Sequence, residues 1–224
     1  MKYSPYSSRR GRIEWIDIAK GWGIVLVTFG HLRNGDGESV WLPALDPLIA
    51  VIYLFHMPLF YLLGGLTFSM RGGFRSFLIR KARTQLIPYY VFSLYFLAKP
   101  IAILLIPSMR STFQTQHNYN LVHQFIDVLI MGNGLWFLMA FFIGEVFTYA
   151  LISAFKEQQK HLVYIGSAII FVYYASTSLM SSLPIPFQIW RGVEVTGFMI
   201  LGYVLRDWLK SLDRKKLIYS LSLI

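Results

Sequence analysis

Residues 16–32 read IDIAKGWGIVLVTFGHL, an apolar run with three polar interruptions, Asp17, Lys20 and His31. At 100° per residue, Lys20 and His31 share a helical face to within roughly 20° and stand about 16 Å apart along the axis. Asp17 lies one turn before Lys20 on the same side. An ammonium and an imidazole on one stripe of a lipid-length helix are costly unless they face protein or water. The stripe is therefore read as the lining of an active site, and the rest of the chain is weighed against it.

The composition supplies the setting. Of 224 residues 55% are hydrophobic and only 14% charged. Soluble domains carry about 25% charged residues, so this balance belongs to an integral membrane protein. Cysteine is absent, which excludes disulfides, thiolate catalysis and cysteine-ligated metals. The formal charge is +10. Its basic residues sit between apolar runs rather than on one soluble face, which argues against nucleic acid as a partner and for a role in membrane orientation. The first fifteen residues are too polar for the core of a signal peptide.

Six stretches have the length and apolarity of membrane spans: 15–33, 48–69, 84–106, 135–155, 161–180 and 189–208. A seventh apolar run starts at Leu217. The expected fold class is all-α, a polytopic transmembrane helical bundle of about six spans plus the start of a seventh. Lysine and arginine cluster in the N-terminal tail, between Arg71 and Arg83, at Lys156 and Lys160, and from Arg206 onward, leaving Arg33, Arg110 and Arg191 on the other side. That alternation predicts a cytoplasmic N-terminus. In the outer loop 107–134, Leu121, Phe125, Val128 and Leu129 recur at helical spacing and predict a short interfacial helix within Asn118–Met131. Ala19, Gly21, Gly23, Gly30, Gly64 and Gly65 are expected to let helices approach closely. Pro58, Pro88 and Pro100 are expected to kink spans or mark their ends.

Depth follows from rise per residue. His31, His56, Lys99, Glu145 and Glu194 fall in one slab of the outer half of the membrane, with Arg191 at its border and Lys20 nearer the cytoplasm. Each has a bland alternative. His31 is also read as a solvated cap near a span end, and His56 as a core histidine bonded to a carbonyl. Lys99 has the option of snorkelling outward. Glu194 with Arg191, and Lys20 with Asp17, have the spacing of local ion pairs. Glu145 has no charged neighbour one turn away, so it needs a partner or a proton. No HExxH, P-loop or GxSxG occurs. His117 and His123 are a weak metal signal without a third ligand, so no metal is expected.

IDIAKGWGIVLVTFGHL, then YLFHMPLFYLLGGLTF, LIPYYVFSLYF and GLWFLMAFFIGEVF, in that order, resemble the acyltransferase-3 family of membrane proteins, and within it the fucose 4-O-acetylase-like branch. The hallmark of that family is a basic residue, ten residues, then histidine in the first span, which falls here on Lys20 and His31. The family's FHMPLF…SG pattern runs from Phe55 to Gly65, with Gly64 where the family usually has serine. The resemblance covers most of the chain as a single domain over 1–224. It implies that further C-terminal spans belong to the full family fold.

The resemblance implies an O-acyltransferase of the bacterial plasma (inner) membrane. It would move an acyl group, commonly acetyl from acetyl-CoA, to a sugar hydroxyl of a surface polysaccharide or its lipid-linked precursor. The residue chemistry agrees. His31 could act as general base or carry the acyl group covalently, with His56 and Glu145 as further candidates. Lys20 could hold a phosphate or the thioester carbonyl. Arg71, Arg75, Arg80, Lys81 and Arg83 would dock the phosphates of acyl-CoA, unless they serve membrane orientation alone. No permanently bound cofactor is expected. The partners would be acyl-CoA, a glycan or lipid-linked saccharide acceptor, and the lipid bilayer, with no nucleic acid. A glycan transporter or flippase built on the buried Glu and His groups, and a non-catalytic scaffold, are the other readings.

Overall fold

The computed structural model describes residues 14–31, 43–106, 121–155, 158–180 and 182–211, and every regular element among them is helical. Eight α-helices follow in order: α1 Glu14–Gly30, α2 Asp46–Leu66, α3 Gly73–Lys81, α4 Ile87–Leu105, α5 Leu121–Ile126, α6 Trp136–Ala154, α7 Gln159–Met180 and α8 Ile189–Ser211. The six stretches expected from hydropathy coincide with α1, α2, α4, α6, α7 and α8. The runs Asp46–Leu66, Val122–Ala154 and Gln159–Met180 contain helix long and apolar enough to cross a membrane by length and composition. Large apolar side chains such as Leu54 and Phe171 point outward, 77% and 74% exposed, as suits a protein whose solvent is lipid. By composition and apolar helices the chain is an integral membrane protein. The tails, most of the loop 33–47, the segment 107–120 with His117, Lys156, the run from Leu217 and the side chain of Lys99 lie outside the described residues.

The chain divides into two compact units, one made of the residues up to Phe68 with those from Gly202 onward, the other of Ser69–Leu201. In the first unit α1 packs on α2. Ile16, Gly23 and Gly30 are the buried positions of α1. Their seven-residue spacing is two helical turns, so they form one seam. Gly23 and Gly30 are glycine because a Cβ would meet the Phe60 ring at 2.7 Å and the Tyr53 ring at 2.6 Å. Gly21 does not serve the close approach expected of it, since nothing lies within 4 Å of its Cβ position. Ile16, Leu63 and Leu66 form a core with Ala19, Leu59 and Leu205 around them. A Cβ on Gly202 would collide with the Leu62 carbonyl and stand 3.1 Å from the Gly65 Cα. Arg206 Nη1 donates to the Phe68 carbonyl at 2.9 Å.

In the second unit the segment from Arg71 to Arg83, expected as a loop, is mostly helix. It forms α3, then a π-turn over Ala82–Leu86, which runs directly into α4. The π-turn has a local cause. Pro88 has no N–H for the Thr84 carbonyl and its ring crowds that oxygen, and the widened turn just before it relieves both. Pro58 neither kinks α2 to a stop nor ends it, because the helix continues to Leu66. The helix expected within Asn118–Met131 is present over α5 and a second π-turn, Asp127–Met131, which closes on Gly132 at φ 82°. Tyr89 of α4 donates to the Val128 carbonyl and pins this turn. Glycines also join the later helices. Gly192 of α8 lies against Ile143 of α6, and a Cβ on Gly166 of α7 would come 3.1 Å from the Gly197 carbonyl of α8.

Candidate active site

His31 closes α1. Its ring Nδ1 lies 2.7 Å from the Val27 carbonyl one turn back, and the side chain is exposed. A carbonyl can only accept, so Nδ1 carries the hydrogen, and in the neutral form of the ring the lone pair belongs to Nε2. His56 of α2 repeats the arrangement with Nδ1 2.9 Å from the Ile52 carbonyl. It differs in being 3% exposed, so the reading of His56 as a core histidine bonded to a carbonyl describes its geometry. Tyr53 stands between the two rings. Its centroid is 6.4 Å from that of His31 and 4.9 Å from that of His56, the latter edge-on. The Tyr53 hydroxyl donates to the Gly30 carbonyl at 3.0 Å, tying α2 to the last turn of α1 beside His31. Sequence reasoning misses Tyr53. The available signal is its place three residues before His56, which puts the two on neighbouring positions of one helix face.

Lys20 is half-buried on α1, bordering the seam that Ile16, Gly23 and Gly30 define. The shared face of Lys20 and His31 is present as helix geometry dictates.

Glu145 of α6 is 3% exposed, and its partner comes from α3. Lys81 Nζ lies 2.5 Å from Glu145 Oε1, and Gln85 Nε2 donates to Oε2 at 2.8 Å. The expectation that Glu145 needs a partner or a proton is met by a lysine that the residue chemistry groups with the candidate phosphate ligands. Lys81 thus faces inward rather than outward with the arginines. Phe77, Lys81 and Gln85 recur every four residues and form the inward face of α3 and the π-turn. Phe77 packs on Tyr149 at 4.7 Å. Arg71, Arg75, Arg80 and Arg83 are exposed. Arg80 Nη1 reaches back to the Arg71 carbonyl at 3.4 Å, which holds two of the four together.

Glu194 and Arg191 take separate partners. Glu194 accepts from the Tyr174 hydroxyl at 2.7 Å. Arg191 donates to Gln188 Oε1 at 3.1 Å and lies over the Trp136 ring at 4.3 Å. The expected slab of ionisable groups is therefore a set of separate partnerships: His31 and His56 meet through Tyr53, Glu145 joins Lys81, and Glu194 joins Tyr174. The described residues contain no cluster of three or more His, Cys, Asp or Glu able to hold a metal ion.

Helix α1 thus carries a half-buried lysine and an exposed histidine on one face. The family model described as an acyltransferase domain, that of the acyltransferase-3 family, matches residues 13–224. The chain belongs to this family and is a membrane acyltransferase in its general class. No curated protein and no solved structure matches the chain.

Proposed function

We propose that the protein is an O-acyltransferase, of the fucose 4-O-acetylase-like kind, with α1, α2, α4, α6, α7 and α8 all spanning a bacterial plasma membrane and the N-terminus in the cytoplasm. The donor is acyl-CoA, commonly acetyl-CoA, and the acceptor is a sugar hydroxyl of a cell-surface polysaccharide or its lipid-linked precursor. The observation that carries this reading is the His31 Nδ1 bond to the Val27 carbonyl. It fixes the tautomer whose free nitrogen can take a proton, as a general base requires.

The acceptor hydroxyl gives its proton to His31 Nε2 as its oxygen attacks the thioester carbonyl carbon. The tetrahedral intermediate collapses with loss of the C–S bond. The imidazolium returns the proton to the departing thiolate, so ester and free thiol leave with His31 regenerated. Lys20 supplies positive charge for a phosphate or for the oxyanion. His56, buried and carbonyl-bonded, and Tyr53 position the last turn of α1. The exposed Arg71, Arg75, Arg80 and Arg83 hold the donor's phosphates. Lys81 is engaged by Glu145, so that pair orders α3 rather than binding phosphate itself.

The deciding experiment is mass spectrometry of surface glycans from cells with the wild-type gene, without it, and with His31→Ala. Loss of the same acyl ester in the second and third, at equal protein level, supports the reading. Unchanged acylation with His31→Ala removes the histidine from it.

A further inference from the structure

A cavity of 340 Å³ lies in the Ser69–Leu201 unit, lined by His123, Asp127, Asn133, Gln188, Trp190 and Arg191 among others. Its size is that of small-ligand pockets, which span about 300–1,000 Å³. Its walls come from the turn after α5 and from the segment that leads into α8.

The walls are held rigidly. Phe187 and Gln188 both sit at positive φ, 54° and 52°, a conformation non-glycine residues keep only where surrounding contacts impose it. The contacts are visible. Gln188 Nε2 donates to the Met131 carbonyl at 3.1 Å and to Asn133 Oδ1. Gln188 Oε1 accepts from Arg191 at 3.1 Å. Asn133 Nδ2 in turn donates to Asp127 Oδ1 at 2.5 Å. A chain of side chains from Asp127 to Arg191 thus crosses the cavity wall.

The polar groups that remain define a ligand. Arg191 has Nη1 anchored on Gln188 and its guanidinium carbon 4.3 Å from the centre of the Trp136 ring, which leaves its other N–H groups for a carboxylate. The Trp190 ring lines the cavity and is stacked on Tyr173 at 5.1 Å. Asp127 accepts from Asn133 through Oδ1 and has lone pairs left for a hydroxyl donor. From these groups we infer that the cavity binds a small hydroxylated carboxylate, its anion on Arg191 and a hydroxyl on Asp127. This goes beyond the acyl-transfer reading and does not depend on His31.

The test is isothermal titration of the purified full chain in detergent with three probes: glucuronate, glucose and inorganic phosphate. Glucuronate is expected to bind saturably at one site, about tenfold more tightly than either glucose or phosphate. Arg191→Gln is expected to weaken glucuronate to the level of glucose, and Asp127→Asn to weaken it several-fold. The wild-type comparison stands even if a variant fails to fold. Absence of saturable glucuronate binding, equal affinity for glucose, equal affinity for phosphate, or an unchanged Kd in a folded Arg191→Gln protein overturns the proposal.

Discussion

Lys81 Nζ and Glu145 Oε1 are 2.5 Å apart across a separation of 64 residues, with the glutamate side chain 4% exposed. The pair fastens α3 to α6. With Gln85 on the other carboxylate oxygen, both oxygens of the buried glutamate are occupied. Removing one partner leaves an uncompensated charge, and that usually costs about 3–5 kcal/mol. Lys81→Met is therefore expected to lower the unfolding midpoint strongly in detergent, and Lys81→Met with Glu145→Leu to recover most of the loss. Thermal melts of the two single variants and the double variant measure this. Additive losses would mean that the two side chains do not interact.

His31→Ala is expected to lower acyl transfer about 10²–10⁴-fold, the usual worth of a general base, with unchanged protein level. Single-turnover assays with labelled acetyl-CoA and a glycan acceptor measure the step. A loss below threefold would assign the ring a capping role, which its bond to Val27 would also explain.

Tyr53→Phe removes the hydroxyl that donates to the Gly30 carbonyl. A single such hydrogen bond is worth about 0.5–1.5 kcal/mol. The variant is expected to lose that much stability and to show a reduced kcat with little change in KM, because the bond holds the turn that carries His31. A change confined to KM would place Tyr53 in substrate binding instead.

Arg75→Gln with Arg80→Gln is expected to raise the apparent KM for acyl-CoA and leave kcat nearly unchanged, since these exposed side chains would act on the donor's phosphates. Steady-state kinetics at varied acyl-CoA check this. An unchanged KM would leave the arginines as determinants of membrane orientation alone.

Two glycines separate packing from propensity. A Cβ on Gly202 meets the Leu62 carbonyl and the Gly65 backbone, neither of which can rotate away. Gly202→Ala is expected to destabilise by about 1–3 kcal/mol as overpacking does. Gly21 has nothing within 4 Å, so Gly21→Ala is expected to be neutral or stabilising by up to about 1 kcal/mol through helix propensity. Melting temperatures of the two variants give the answer directly.

The sequence by itself determined the helices and the polar stripe on the first of them. Apolar runs of span length locate α1, α2, α4, α6, α7 and α8, because a long apolar run with few charges is stable as helix in lipid. Lys20 and His31 share a face because eleven residues are close to three whole turns. The demand for a partner on Glu145 was legible too, since an isolated carboxylate in an apolar helix is costly. Only the tertiary structure decided who that partner is. Lys81 lies 64 residues away in a segment that reads as a basic loop, and it turns inward through a helix and π-turn that no periodicity announces. Tyr53 between the histidines, and the wall that Gln188 builds across the cavity with Asn133 and Arg191, are likewise contacts between separate elements. Local spacing fixes which residues share a face of one helix. Which face of another helix they meet depends on close packing, and here glycines such as Gly23, Gly144 and Gly197 set it by admitting a neighbour where any side chain would exclude one.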